Sequence, residues 1–136
     1  MKCLDTTYLI DLIRNPSALK EITERIDQEE RVAITVFNIF EAYLGAFAIE
    51  DKEKAEKIKD KLDKAVNRIE ILEFSYKDAI RASQIAGSLL KDGKEVGADA
   101  ITAAIALNNG YNEIVTRNKK HFEMIGEVTG LKVEAY

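Results

Sequence analysis

Short apolar runs recur along this chain of 136 residues, and most of the stretches between them carry apolar residues at helical spacing. Lys2–Leu4, Arg31–Thr35, Ile69–Phe74 and Glu113–Thr116 read as strands, with Lys132–Glu134 as a fifth. Thr6 or Thr7 opens a helix with Leu9, Ile10, Leu12 and Ile13 on its buried stripe. Asn15 and Pro16 start another, Asn as cap and Pro at the first helical position, continued by Leu19, Ile22 and Ile26. Thr35 caps a helix through Phe37, Phe40, Leu44 and Phe47, and after Asp51 a charged amphipathic helix places Ala55, Ile58, Leu62 and Val66 on one face. Ser75 with Asp78 forms a capping-box start for a helix ended by Gly93, and an Ala-rich helix from about Asp99 to Asn109 is closed by Gly110. Strands separated by helices imply a parallel sheet with helices on both faces. The expectation is a three-layer α/β/α fold around a mainly parallel sheet of four or five strands, built as one domain over residues 1–136.

Charge is distributed unevenly over this pattern. Charged residues make up 32% of the chain, yet Glu41 is the only one between Arg31 and Glu50, and Asp99 the only one between Glu95 and Glu113. Asp5 also sits between apolar segments. Moving an ionised carboxylate into low dielectric costs several kcal/mol, so such positions need compensation, and a divalent cation shared by the three acids would supply it. In a parallel sheet, ligands bind beyond the carboxyl ends of the strands. Asp5 closes the first strand, Thr116, Arg117 and Asn118 follow the fourth, Glu41 lies about two turns into the helix after the second, and Asp99 opens the Ala-rich helix. Taken singly, Asp5 and Asp99 also suit helix N-caps, and Glu41 could face solvent with Asn38 and Gly45. The case for one shared cleft rests on the three together.

Composition narrows the classes. A net charge of −4 argues against a protein that coats nucleic acid through a basic surface, but leaves room for a nuclease with a few local cations. No apolar run approaches the ~18 residues of a membrane span, and residues 1–5 lack the basic and apolar stretches of a signal peptide, so the expected location is the cytoplasm. The lone Cys3 is expected in the core and carries no metal or thiol chemistry.

The residues then converge on a resemblance. Leu4-Asp5-Thr6-Thr7-Tyr8-Leu9 resembles the first motif of the PIN-domain ribonucleases, an Asp at the end of strand one followed by a hydroxyl residue and an apolar helix. Thr35 through Gly45, with Glu41, resembles the second motif; Asp99 through Leu107 the third; and Ile114 through Phe122, with Thr116 and Asn118, the fourth. Order and spacing cover essentially the whole chain, and its size resembles that of the VapC-type toxins of toxin-antitoxin pairs.

The resemblance implies a PIN-like fold and a Mg²⁺- or Mn²⁺-dependent endoribonuclease. Asp5, Glu41 and Asp99 would bind the metal, Thr7 and Asn118 would orient water or a ligand, and Arg117, Lys119 and Lys120 would contact RNA phosphates, with Arg14 a weaker candidate. Water activated by the ion would attack the phosphodiester in line, leaving a 5′-phosphate and a 3′-hydroxyl with no covalent intermediate. Asn118 stands where some relatives have an acid, so a second metal would be held less firmly. Implied partners are RNA, a cognate antitoxin and a second copy of the chain, the last two docking on excess apolar surface of the helices over Val36–Ile49 and Ala55–Val66. His121, the only histidine, is expected as a surface or packing residue near the cleft rather than a general base. A receiver domain would need an Asp ending strand three, where Glu73-Phe74-Ser75 stands, and a haloacid-dehalogenase-type site would need Asp-x-Asp, where Asp5-Thr6-Thr7 stands. The remaining rival is a non-catalytic RNA- or protein-binding module on a PIN-like scaffold, which would gain nothing from clustering three acids.

Overall fold

The computed structural model describes residues 1–136. Its strands are β1 (Lys2–Leu4), β2 (Val32–Thr35), β3 (Glu70–Leu72), β4 (Glu113–Thr116) and β5 (Lys132–Ala135). They form one sheet in the order β3-β2-β1-β4-β5, and all four pairings are parallel. The expected mainly parallel sheet of four or five strands is therefore five-stranded and wholly parallel. The three central strands are buried almost continuously, and successive residues point to opposite faces, as in a sheet covered on both sides. Cys3, Ala33 and Ile114 belong to one core, and Leu4, Ile34 and Val115 to the opposite side.

Helices α1 (Thr6–Arg14), α2 (Lys20–Asp27), α3 (Val36–Phe47) and α4 (Lys52–Val66) cover the Leu4 face through Tyr8, Leu9, Ile22, Ala42 and Leu62. Helices α5 (Tyr76–Lys91), α6 (Asp99–Asn108) and α7 (Lys119–Thr129) cover the other through Ile85, Leu89, Ala103, Phe122 and Ile125. The run of Ala100, Ala103, Ala104 and Ala106, none more than 1% exposed, lets α6 lie close against its neighbours.

The caps are where the sequence places them. The Thr35 hydroxyl accepts from the Asn38 N–H, the Asp51 carboxylate accepts from Glu53 and Lys54, and Ser75 and Asp78 form a reciprocal capping box. Asn15 and Pro16 start a single 3-10 turn, Pro16–Leu19, before α2 begins at Lys20, so that boundary is later than expected.

Helix α7 is not announced by the sequence, because its first turn is Lys119-Lys120-His121 and a glycine, Gly126, interrupts its apolar spacing. Packing explains that glycine. A Cβ at Gly126 would stand 2.5 Å from the Leu131 carbonyl oxygen, so only glycine lets α7 lie this close to the chain entering β5. The reversal itself is made by Gly130 in the left-handed region at φ 83°.

The excess apolar surface expected on two helices is found on one. Phe40, Leu44 and Phe47 of α3 are exposed, whereas Ala55, Ile58, Leu62 and Val66 of α4 are all at least partly buried. Because β1 lies between β2 and β4, the chain leaves β1 toward one side of the sheet and returns on the other. The carboxyl edge where the two directions part is the place at which open parallel sheets bind ligands.

Candidate active site

Asp5 is the residue immediately after β1, and its N–H still bonds the Val115 carbonyl of neighbouring β4 at 3.0 Å. That tie fixes the backbone at the carboxyl edge of the sheet. Asp5 occupies the N-cap position of α1 but its side chain makes no cap hydrogen bond; it is turned into the molecule and is 4% exposed. The cap role weighed from the sequence therefore does not explain this carboxylate. Its Oδ2 accepts from the Thr116 hydroxyl at 2.7 Å and the Thr7 hydroxyl at 3.0 Å. Thr116 in turn accepts from the Asn118 N–H at 2.8 Å, and Thr7 from the Arg117 N–H at 3.0 Å. The turn after β4 and the start of α1 are thus stitched together around one carboxylate.

Glu41 does not face open solvent beside Asn38. Asn38 lies one turn before it on the same helix face and is completely buried. Glu41 Oε1 accepts from the Thr6 hydroxyl at 2.7 Å, and the Asn38 side-chain nitrogen lies 3.4 Å from Glu41 Oε1 and 3.4 Å from Asp5 Oδ1. One amide therefore sits between the first two acids. Asp99 is the first residue of α6, with Ala98 rather than Asp99 at the N-cap. Its Oδ2 accepts from the Asn118 side-chain nitrogen at 2.6 Å and meets His121 Nδ1 at 2.9 Å. A carboxylate only accepts, so the Asn118 amide points its NH₂ at Asp99 and the His121 proton sits on Nδ1. His121 is at the site and in contact with an acid, a closer role than the surface or packing place expected for it.

Electrostatics join Asp99 to the other two acids. Burial above all, and then the charges of Asp5 and Glu41, push its carboxyl above the ordinary 3.8, while the His121 hydrogen bond pulls partly back. No Lys or Arg lies within ion-pair distance of Asp5, Glu41 or Asp99. A stability consequence follows. The folded-state value of Asp99 exceeds its unfolded value, so the folded chain holds the proton more tightly, and stability is lost as pH rises from the ordinary range through the raised value. At neutral pH without metal, Asp99→Asn is therefore expected to melt at a higher temperature than the parent, with the difference vanishing below the ordinary carboxylate range. Calorimetric melts in EDTA across that pH range check it, and a lower melting temperature for the variant at pH 7 would contradict it.

The other residues divide. Thr7 and Asn118 are at the cluster, holding Asp5 and Asp99 respectively. Arg117 is exposed on the same turn, with its guanidinium 2.9 Å from Asp11, whose other oxygen accepts from the Tyr136 hydroxyl at 2.9 Å. Lys119 lies 3.5 Å from Glu123 on the same helix, and Lys120 has no acidic partner. Arg14 is not brought to the acids. It ends α1, about 12 Å along that helix from its start, and borders a separate groove lined by Ile13, Ala46 and Leu62. Thr6, Asn38, Thr102 and Thr116 also reach the cluster, and no role there is predicted for them from the sequence. The available signal was polarity inside apolar helices: Asn38 precedes Glu41 by three residues, and Thr102 follows Asp99 by three.

The donor set suits a hard divalent cation, being three carboxylates with only oxygens to offer and no cationic side chain to satisfy them. It is not a closed chelate, for no three Asp, Glu, His or Cys side chains stand close enough to enclose an ion as they are. The acids also line none of the larger hollows; the largest, about 720 Å³, is bounded by Leu12, Ile26 and Arg68. An open edge of this kind suits an extended polymer better than a small molecule held in a pocket.

Comparison with known proteins gives one consistent result. The PIN-domain family model matches residues 2–127. The tRNA(fMet)-specific endonuclease VapC of Shigella flexneri is 30% identical over 133 residues, spanning 96% of this chain and 94% of that protein. A DNA-bound VapBC from Salmonella typhimurium matches with a TM-score of 0.83 at 28% identity, over 98% of this chain and 96% of that one. VapBC2 from Rickettsia felis, bound to a DNA fragment from its promoter, matches with a TM-score of 0.82 at 24% identity, over 99% and 98%, a likeness of fold.

Proposed function

The chain belongs to the PIN-domain family, and on that premise we propose that it is a divalent-metal-dependent endoribonuclease, the toxin of a toxin-antitoxin pair. The observation that carries this reading is that Asp5, Glu41 and Asp99 lie at one sheet edge, where burial first and then the charges of Asp5 and Glu41 raise Asp99, and no basic side chain stands within ion-pair distance of the three. Its likeness to an endonuclease named for tRNA(fMet) supports RNA as the substrate class. The VapBC structures support a cognate antitoxin as partner. The exposed stripe of Phe40, Leu44 and Phe47 supports a protein contact on α3, either with that antitoxin or with a second copy of the chain. No helix is long and apolar enough to cross a membrane.

Asp5, Glu41 and Asp99 would hold Mg²⁺ or Mn²⁺. When bound, the ion supplies Lewis acidity toward the phosphate and lowers the pKa of water. The side chains around it fix geometry. Thr7 and Thr116 hold one oxygen of Asp5, and Asn118 and His121 hold one oxygen of Asp99, leaving the other oxygen of each carboxylate free of those bonds. Arg117, Lys119 and Lys120 line the turn and first helical residues beside the acids, where they neutralise the phosphates of a strand laid along the edge. Arg117 is restrained by Asp11, so it meets RNA with less loss of side-chain freedom than a free arginine would.

The test is cleavage of unstructured RNA by the purified chain, free of antitoxin. Cutting is expected with Mg²⁺ or Mn²⁺, leaving 5′-phosphate ends, and is expected to cease in EDTA and return when excess Mn²⁺ is added. Cleavage that continues undiminished in EDTA would remove the metal from the proposal.

A further inference from the structure

Between Asp5 and Glu41 lies a polar side chain that the cleavage scheme above does not use. Asn38 is 0% exposed, and every polar atom of its side chain has a partner. Its Oδ1 accepts from the Thr35 hydroxyl at 2.8 Å, while that hydroxyl accepts from the Asn38 N–H at 3.0 Å. The amide therefore cannot turn over: its opposite end faces carboxylate oxygens, which accept and never donate, so the NH₂ must point toward the acids. That NH₂ lies 2.7 Å from the Thr6 hydroxyl, 3.2 Å from the Thr102 hydroxyl, and 3.4 Å from Asp5 Oδ1 and Glu41 Oε1. The two short contacts take its two protons. Thr6 accepts from Asn38 and passes its own proton to Glu41 Oε1 at 2.7 Å.

We propose that Asn38 is a positioning residue, which through Thr6 fixes the Glu41 carboxylate against Asp5 and so sets the gap that a divalent cation must fill. The chain of donation runs in one direction, from the Thr35 hydroxyl to the Asn38 amide, to the Thr6 hydroxyl, to Glu41. Its four members lie on three elements: Thr35 at the end of β2, Asn38 in the first turn of α3, Thr6 at the first residue of α1, and Glu41 back on α3 in its second turn. Without it, the half-buried Glu41 carboxylate loses its hydroxyl partner and is free to swing away from Asp5. The bonded network also explains why a fully polar amide is tolerated in an apolar segment, since none of its groups is left unpaired. The proposal rests on the nuclease reading above, and its test separates the two.

Asn38→Leu, Thr6→Val, the two combined, and Asp5→Asn are compared with the parent by RNA cleavage, by calorimetric titration with Mn²⁺ and by thermal melting. Groups that orient ligands in this way typically change affinity or rate by 10- to 100-fold, so each single variant is expected to weaken Mn²⁺ binding and lower kcat by about that much, with KM within about threefold. The combined variant is expected to be no worse than Asn38→Leu alone, because both substitutions break one chain. Thr6→Val keeps the side-chain shape and decides the matter if Asn38→Leu does not fold. Single variants within about threefold of the parent in both kcat and Mn²⁺ affinity, or losses that multiply in the combined variant, would overturn the assignment. If Asp5→Asn is inactive while Asn38→Leu is unimpaired, only the positioning role falls; if Asp5→Asn cuts as fast as the parent, the nuclease reading falls first.

Discussion

Asp5→Asn and Asp99→Asn are each expected to cut RNA about a thousandfold more slowly than the parent, or not at all, while remaining folded. A divalent ion is worth several kcal/mol of charge stabilisation in a phosphoryl transition state, and each 1.4 kcal/mol is about a factor of ten in rate, so losing one anionic ligand from a set of three reaches that scale. Asparagine keeps the shape of aspartate and one acceptor oxygen. The hydroxyls of Thr7 and Thr116 can still donate to position 5, as Asn118 and His121 can to position 99. Folding is therefore spared, and for Asp99 it is favoured, since the variant no longer places an ionised carboxyl in a buried, like-charged site. Two readouts separate a lost ligand from a damaged fold. Melting temperature without metal should hold or rise, and the upward shift that Mn²⁺ gives the parent should disappear. Variants that cleave as fast as the parent would end the assignment of these acids.

Phe122→Ala carries the largest expected loss of stability, about 3–5 kcal/mol out of the 5–15 typical of a whole domain. Phe122 is 0% exposed and joins the larger core beside Ile114 and Ile125, so truncation leaves a cavity that the parallel sheet cannot collapse to fill. The consequence reaches the site through α7. That helix begins at Lys119, directly after Asn118, and places His121 against Asp99, and its inward face is held chiefly by Phe122 and Ile125. Urea unfolding should show a lower midpoint with an unchanged slope, and cleavage should fall steeply with temperature well below the parent's limit. A midpoint shift equivalent to less than about 1 kcal/mol would mean that α7 is held by something other than its apolar face.

Much of the architecture is legible because it depends on local rules. Glu113–Thr116 is found at the residues its pattern predicts, and the Ser75–Asp78 capping box and the Thr35 cap lie where the hydroxyl residues stand. Such features depend on residues within one helical turn or one strand. Helix α7 is not legible because its first turn is charged and carries no cap signal, and because Gly126 is set by its close approach to the Leu131 carbonyl rather than by local preference. Lys119 and Lys120, expected from the sequence as phosphate contacts after the fourth strand, open that helix.

The alternation of short strands with helices, and the fact that Asp5, Glu41 and Asp99 are charges their surroundings cannot easily hold, are readable from the chain alone. Both follow from periodicity and from the cost of burying an ion, which need no knowledge of distant partners. The residues that accompany those acids are set by how the elements pack. Strand order sets β4 beside β1, which brings Thr116 to Asp5. The crossing of α6 over the sheet brings Thr102 to Asn38, and α7 brings His121 to Asp99, whereas α1 carries Arg14 away. Hydrogen bonds between side chains 22 to 111 residues apart depend on angstrom-scale placement of separate elements, and no local pattern in the chain encodes that placement.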